Sequence, residues 1–213
     1  FFSAYSNKRT DFWGGNLNKR MNFAIEVARE VFKVVKAYAP DDFIVGYRIS
    51  PDEIHGENIG YTWHESQQLI EQLTELFDFD YMHLSTLDYT KTPTDSDQNF
   101  AQLLGAKVKA PTLLMIAGGI NTVAKMNDAL KDVDIVALGR ATLIDSQIAE
   151  KIKTGHADDI FLEFTEESVA AAHLTPGLLK TMTIGNLFTV RGMDYLRSLL
   201  EAKQGDAASS AAK

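Results

Sequence analysis

Two short stretches place glycine, and then arginine, where a strand gives way to a helix, and both could handle an anion. Ile116-Ala117-Gly118-Gly119-Ile120-Asn121 sets two glycines between an apolar run and a helix-forming one. Without a Cβ the backbone can approach a ligand closely, and a helix start offers unpaired N–H groups and positive dipole. One unit later, Ala137-Leu138-Gly139-Arg140-Ala141 repeats the glycine and adds a guanidinium suited to bidentate phosphate contact. Either stretch alone carries little. In consecutive units, at equivalent positions, they point to a phosphate site, against the plainer reading of two tight turns and a surface arginine.

Arg48 is the third candidate, near the end of Phe43-Ile44-Val45-Gly46-Tyr47-Arg48-Ile49. A guanidinium keeps its charge, so one at a buried strand end needs an anionic or strongly accepting partner. A ligand over the sheet mouth would serve, and so would an internal ion pair with Asp52 or Glu53; spacing does not choose. His83 reads either as a polar group facing a site or as a hydrogen-bonded interior histidine. The other histidines, His55, His64, His156 and His173, sit in polar surroundings without metal-ligand spacing, so no metal is expected. Ser50, Ser85 and Ser168 lack a nucleophile elbow. With no cysteine, thiolate chemistry and disulfides drop out.

The elements that must position these groups alternate. A helix over 16–38, with Pro40 as its stop, precedes the strand at 43–49. A polar loop at 52–61 and a helix at about 62–77 follow. Strand 81–85 leads to a helix near 97–107, strand 112–117 to one over 121–130, and strand 134–138 to one near 145–152. Strands alternating with helices mean βαβ units and a parallel sheet. Four such units are half of the eight that close a barrel. The expected fold is therefore α/β, a partial (β/α)8 TIM barrel over residues 1–153. A C-terminal helical extension at 154–203, with helices at 166–172 and near 194–203, and a disordered tail at 204–213 complete it.

Composition narrows the partners. Twenty-one Lys and Arg against 29 Asp and Glu give a net charge of −8, which disfavours binding to a nucleic-acid backbone. The longest apolar stretch is broken by Pro111, Gly118 and Gly119 and is too short to span a bilayer, so a cytoplasmic location is expected.

The N-terminal segment is the most specific. Asn7-Lys8-Arg9-Thr10-Asp11-Phe12-Trp13-Gly14-Gly15-Asn16-Leu17-Asn18-Lys19-Arg20 resembles the Asn-x-Arg-x-Asp-x-Tyr-Gly-Gly-Ser…Asn-Arg segment of the Old Yellow Enzyme family of FMN-dependent NAD(P)H oxidoreductases. Gly46-Tyr47-Arg48-Ile49-Ser50-Pro51, Asp80-Tyr81-Met82-His83-Leu84-Ser85, Gly118-Gly119-Ile120 and Gly139-Arg140 then follow in the family's order. Trp13, Asn16 and Lys19 depart from it.

This resemblance implies a (β/α)8 barrel, FMN as cofactor, NADH or NADPH as reductant, and an activated alkene or similar small molecule as substrate. It implies that Arg48 contacts the N1/C2-carbonyl side of the flavin, where reduction accumulates negative charge. It assigns Gly118, Gly119, Gly139 and Arg140 to the FMN phosphate. No catalytic residue is implied within the chain, because the family's proton donor would lie upstream of Phe1. A homo-oligomer, or association with an N-terminal half, is expected to cover the open sheet. A non-redox phosphate-binding half-barrel, or another flavin barrel enzyme such as a dienoyl-CoA reductase relative, shares enough of these features to stay open.

Overall fold

The computed structural model describes residues 1–183 and 191–201. The chain divides into two compact units, Phe1–Ile120 with Lys125–Ala137, and Asn121–Ala124 with Leu138–Lys213.

The first unit opens on a loop tied to itself. The Asn7 side-chain amide donates to the Phe1 carbonyl at 2.6 Å and to that of Trp13 at 2.7 Å, and Arg9 pairs with Asp11. Helix α1 (Leu17–Tyr38) follows, capped by Asn16, whose side chain accepts from Lys19 N at 3.1 Å. It buries Met21, Ile25 and Ala28 and ends one residue short of Pro40. Strand β1 (Gly46–Ile49) is shorter than its apolar run suggests, for Phe43 and Ile44 stand 53% and 67% exposed ahead of it. Where the sequence reads as a loop there is an antiparallel hairpin, β2 (Glu53–His55) and β3 (Asn58–Tyr61), which pairs Ile54 with Ile59 and turns at Gly56, φ +61°. Strands of three and four residues are too short for alternation to signal them.

Helix α2 (Trp63–Leu76) starts at a capping box in which Glu65 accepts from Thr62 N at 3.1 Å. Strand β4 (Tyr81–Ser85), helix α3 (Phe100–Gly105), strand β5 (Leu113–Ala117), helix α4 (Val123–Ala129) and strand β6 (Ile135–Val136) complete the alternation. The sheet runs β1-β4-β5-β6, all parallel. One face is core, where Ile49, Met82, Leu84, Leu114 and Ile116 are buried together with Leu69, Ile70, Leu73 and Leu104 of α2 and α3. Two carboxylates tie strands at their amino ends: Asp80 accepts from Val45 N at 2.6 Å and Asp134 from Leu114 N at 2.8 Å.

In the second unit the helix expected near 145–152 is α6 (Ile148–Lys153), and an unexpected short helix, α5 (Arg140–Ile144), precedes it. Asp145 divides them. It is 3% exposed and accepts from Gln147 N and Phe161 N, both at 3.0 Å, and from Lys151 Nζ at 2.7 Å. A 3-10 turn (Ala157–Asp159), α7 (Glu166–Ala171), α8 (Pro176–Thr183) and helical backbone over 193–201 follow. Phe164, Leu179, Met182 and Leu196 form their core. The expected tail at 204–213 and the end of the last expected helix lie outside the described residues.

Candidate functional site

The second face of the sheet carries the polar groups. Alternation along each strand turns Gly46 and Arg48 of β1, Tyr81, His83 and Ser85 of β4, and Leu113, Met115 and Ala117 of β5 the same way. Register stacks them in rows: Gly46, Tyr81 and Leu113, then Arg48, His83, Met115 and Ile135, then Ser85 beside Ala117. In the first row the Tyr81 ring occupies the space a Cβ on Gly46 would need. Side chains shrink toward the carboxyl end, from Tyr and Leu to Ser and Ala, leaving room above the middle row.

Arg48 is exposed, and its Nη2 donates to Ser85 Oγ. Neither carboxylate weighed from the sequence holds it: Asp52 lies 3.9 Å from Lys91 and Glu53 3.4 Å from His55, and no described acid pairs with Arg48. Beside it, burial holds the His83 imidazole below the ordinary histidine range, and the Arg48 charge adds to this. His83 Nε2 is buried without a hydrogen-bond partner among the described residues. Just past β1, burial and the charges of Glu53 and Asp52 push the Tyr61 phenol up to about 12. Sequence reasoning passes over Ser85, because it looks for a nucleophile; the usable signal is period-two spacing from His83, which sets Ser85 on the face of Arg48.

Gly118 and Gly119 follow β5 within the first unit. A Cβ on Gly118 would fall 2.1 Å from Thr86 Oγ1 and 3.0 Å from Tyr89 N, so the loop after β4 occupies that space. Thr86 N and Oγ1 both donate to the Ala117 carbonyl at 2.9 Å, and Tyr89 N donates to that of Gly118 at 3.1 Å. Gly119 adopts φ +65°, where an L side chain is strained. Both glycines are therefore required by the turn itself. Arg48 and Gly118 sit two strands apart at one end of the sheet, about 10 Å at ordinary strand spacing.

In the second unit Gly139 precedes α5, its carbonyl accepting from Thr142 N at 3.1 Å and Thr142 Oγ1 at 2.7 Å. A Cβ there would meet nothing within 4 Å. Arg140, in the first turn of α5, is exposed. Helices α4 and α5 have only seven and five residues, so close backbone N–H groups, more than a macrodipole, are what these turns offer an anion. Among the described residues no cluster of His, Asp or Glu could hold a metal ion, and no helix is long and apolar enough to cross a membrane.

A model of the NADH:flavin oxidoreductase / NADH oxidase family matches residues 1–159. The chain is 33% identical to the protein named "Probable NADH-dependent flavin oxidoreductase YqiG" of Bacillus subtilis (strain 168), over 75% of this chain and 43% of that one. It is 28% identical to the NADH:fumarate oxidoreductase of Klebsiella pneumoniae (strain 342), over 97% of this chain and 23% of that one. Among solved structures, an Old Yellow Enzyme homologue from Zymomonas mobilis matches with a TM-score of 0.59 at 16% identity, over 78% of this chain and 45% of that one. That likeness bears out the fold, a partial (β/α)8 barrel. The chain spans half or less of the length of these curated relatives. The chain belongs to the NADH:flavin oxidoreductase / NADH oxidase family, a family of flavin-dependent redox enzymes.

Proposed function

We propose that this chain holds FMN in an NADH-dependent oxidoreductase that reduces activated alkenes. The observation that carries this is Arg48, an exposed guanidinium at the carboxyl end of a parallel sheet, oriented by a neutral hydroxyl and paired with no described acid. The surroundings fit a flavin ring edge: a fixed cation, an unpartnered His83 Nε2, and small side chains at Ser85 and Ala117. Bound FMN supplies the two-electron chemistry. Arg48 would bind the ring edge where negative charge grows, and would stabilise that charge.

Backbone N–H groups of Gly118 and Gly119 are proposed for the phosphate, and so are Gly139 and Arg140. The latter two rest on the sequence motif and on the open space before Gly139. NADH is favoured as reductant because the Bacillus and Klebsiella relatives are named for it. An alkene is favoured as acceptor because fumarate, named for the Klebsiella relative, is one.

We also infer self-association, or association with a further barrel segment. Phe23, Val27, Val31 and Val34 of α1 stand 40–54% exposed along an apolar groove of about 620 Å³ that reaches Trp13 and Phe43, next to the open edge of β1. Val27→Glu with Val31→Glu should lower the association state on a sizing column while helical circular dichroism persists.

The functional test is a titration of the purified chain with FMN, riboflavin and inorganic phosphate. FMN should bind with a shift of its visible bands, riboflavin should bind more weakly, and phosphate should compete. Equal binding of FMN and simple phosphates without a band shift would replace the flavin reading with a non-redox phosphate site. Turnover of a dienoyl-CoA in preference to a simple enone, in the full-length protein, would move the substrate to that class.

A further inference from the structure

Ser85 is small enough to leave room for a ring edge and is also the one group that the Arg48 guanidinium donates to among the described residues, and its chemistry makes that contact informative. Register pairs Arg48 with His83, so Ser85 lies one step further toward the carboxyl end, on the diagonal that a long side chain can reach. The hydroxyl accepts from Nη2, and no other hydrogen bond from this guanidinium is made among the described residues. A carboxylate at residue 85 would hold the same geometry but cancel the charge; a hydroxyl orients without cancelling. His83 is held toward its neutral form, so it adds no second cation to the row, and Met115 opposite it is uncharged.

We propose that Ser85 is a positioning residue for Arg48: its neutral hydroxyl fixes the guanidinium at the mouth of the sheet and leaves the full positive charge for the bound ring edge. This rests on the assignment of Arg48 to the flavin. It predicts that orientation and charge can be separated by substitution at one residue.

The test compares the full chain with Ser85→Thr, Ser85→Ala and Ser85→Asp. In the ligand-free protein, nitrogen NMR of the Arg48 guanidinium should show restrained N–H groups in the parent, in Ser85→Thr and in Ser85→Asp. They should average out in Ser85→Ala. Burial is the larger cause that holds the His83 imidazole down and the Arg48 charge the smaller, so the His83 titration should move up slightly in Ser85→Ala and stay in place in Ser85→Thr.

FMN affinity, read by quenching of its fluorescence, should fall by about three- to tenfold in Ser85→Ala, the scale of one hydrogen bond. It should fall further in Ser85→Asp, although the guanidinium remains held there. The reduction potential of bound FMN should drop in the same order, and Ser85→Thr should restore the parent value. An Arg48 signal and a His83 titration unchanged in Ser85→Ala would overturn the proposal. If both respond as stated but FMN binds no variant, or binds all alike, Ser85 does hold Arg48 and the flavin assignment of Arg48 falls instead.

Discussion

Gly118→Ala separates a glycine needed by the fold from one needed by a ligand. The new methyl would sit 2.1 Å from Thr86 Oγ1, 3.0 Å from Tyr89 N and 3.1 Å from Asp88 C. Thr86 cannot swing aside without giving up its 2.9 Å bond to the Ala117 carbonyl. Overpacking costs about 1–3 kcal/mol and the lost hydrogen bond about 1 kcal/mol more. The expected destabilisation is thus about 2–4 kcal/mol, or on the order of 5–15 °C in Tm for a chain of this size. Thr86→Ala removes the nearest obstacle, so the double variant should recover about 1–2 kcal/mol relative to the sum of the singles. Both tryptophans, Trp13 and Trp63, lie in the first unit, and their fluorescence in a urea titration reads the loss directly. If Gly118→Ala is as stable as the parent, or loses as much without Thr86 as with it, the loop does not impose this glycine. Gly139→Ala is the converse. Its methyl meets nothing, so stability should stay within about 0.5 kcal/mol, while FMN binding should weaken if phosphate lies against that backbone.

Arg48→Met should leave stability within about 0.5 kcal/mol, because the guanidinium is exposed, and should weaken FMN about ten- to a hundredfold, the scale of a charge-assisted bond. Lys151→Met strips the buried Asp145 carboxylate of its cation and should cost about 3 kcal/mol in chemical denaturation. Burial alone would raise the Asp145 carboxyl, but Lys151 and the N–H groups of Phe161 and Gln147 outweigh it and hold it below the usual carboxylate range. Its stabilisation is therefore present above about pH 4, where the unfolded carboxyl ionises, and is lost as pH falls through the lower folded value. Hydrogen exchange of α5 and α6 against pH should show that acid loss in the parent and a weaker one in Lys151→Met. The Tyr61 phenol, raised to about 12, makes the opposite contribution: stability fully present below about pH 10 and lost as pH rises through 12. In absorbance titration, Tyr61→Phe should remove the highest tyrosinate step.

What could be read from sequence follows the range of the forces involved. The four strands and their order came through because each is a short apolar run closed by Gly, Pro or a polar residue, and Met82, Leu84, Leu114 and Ile116 alternate onto one buried face. Arg48, Gly118 and Gly119 were legible as candidates for the same reason, at strand ends. The partner of Arg48 was not, since two parallel strands 37 residues apart must align before Ser85 comes within reach. Nor was the reason for Gly118: the side chain that claims its space, Thr86, belongs to a different loop. Helix α5 was hidden because five residues are too few for a helical period to show, and so was the tie from Phe161 N back to Asp145, 16 residues away.

The groups around Arg48 argue that its charge is kept for something outside the chain. Where this chain does bury charge, it balances it: Asp145 has Lys151, and Arg20, 5% exposed, has Glu65 at 2.5 Å. Arg48, being exposed, needs no such balance, and no described acid pairs with it. Beside it on β4 are an imidazole held toward neutrality and a hydroxyl, in a chain whose acids outnumber its bases by eight. A stability role would have drawn one of those acids to it. An electron-rich ring edge at the carboxyl end of the sheet accounts both for the cation and for the neutral hydroxyl that holds it.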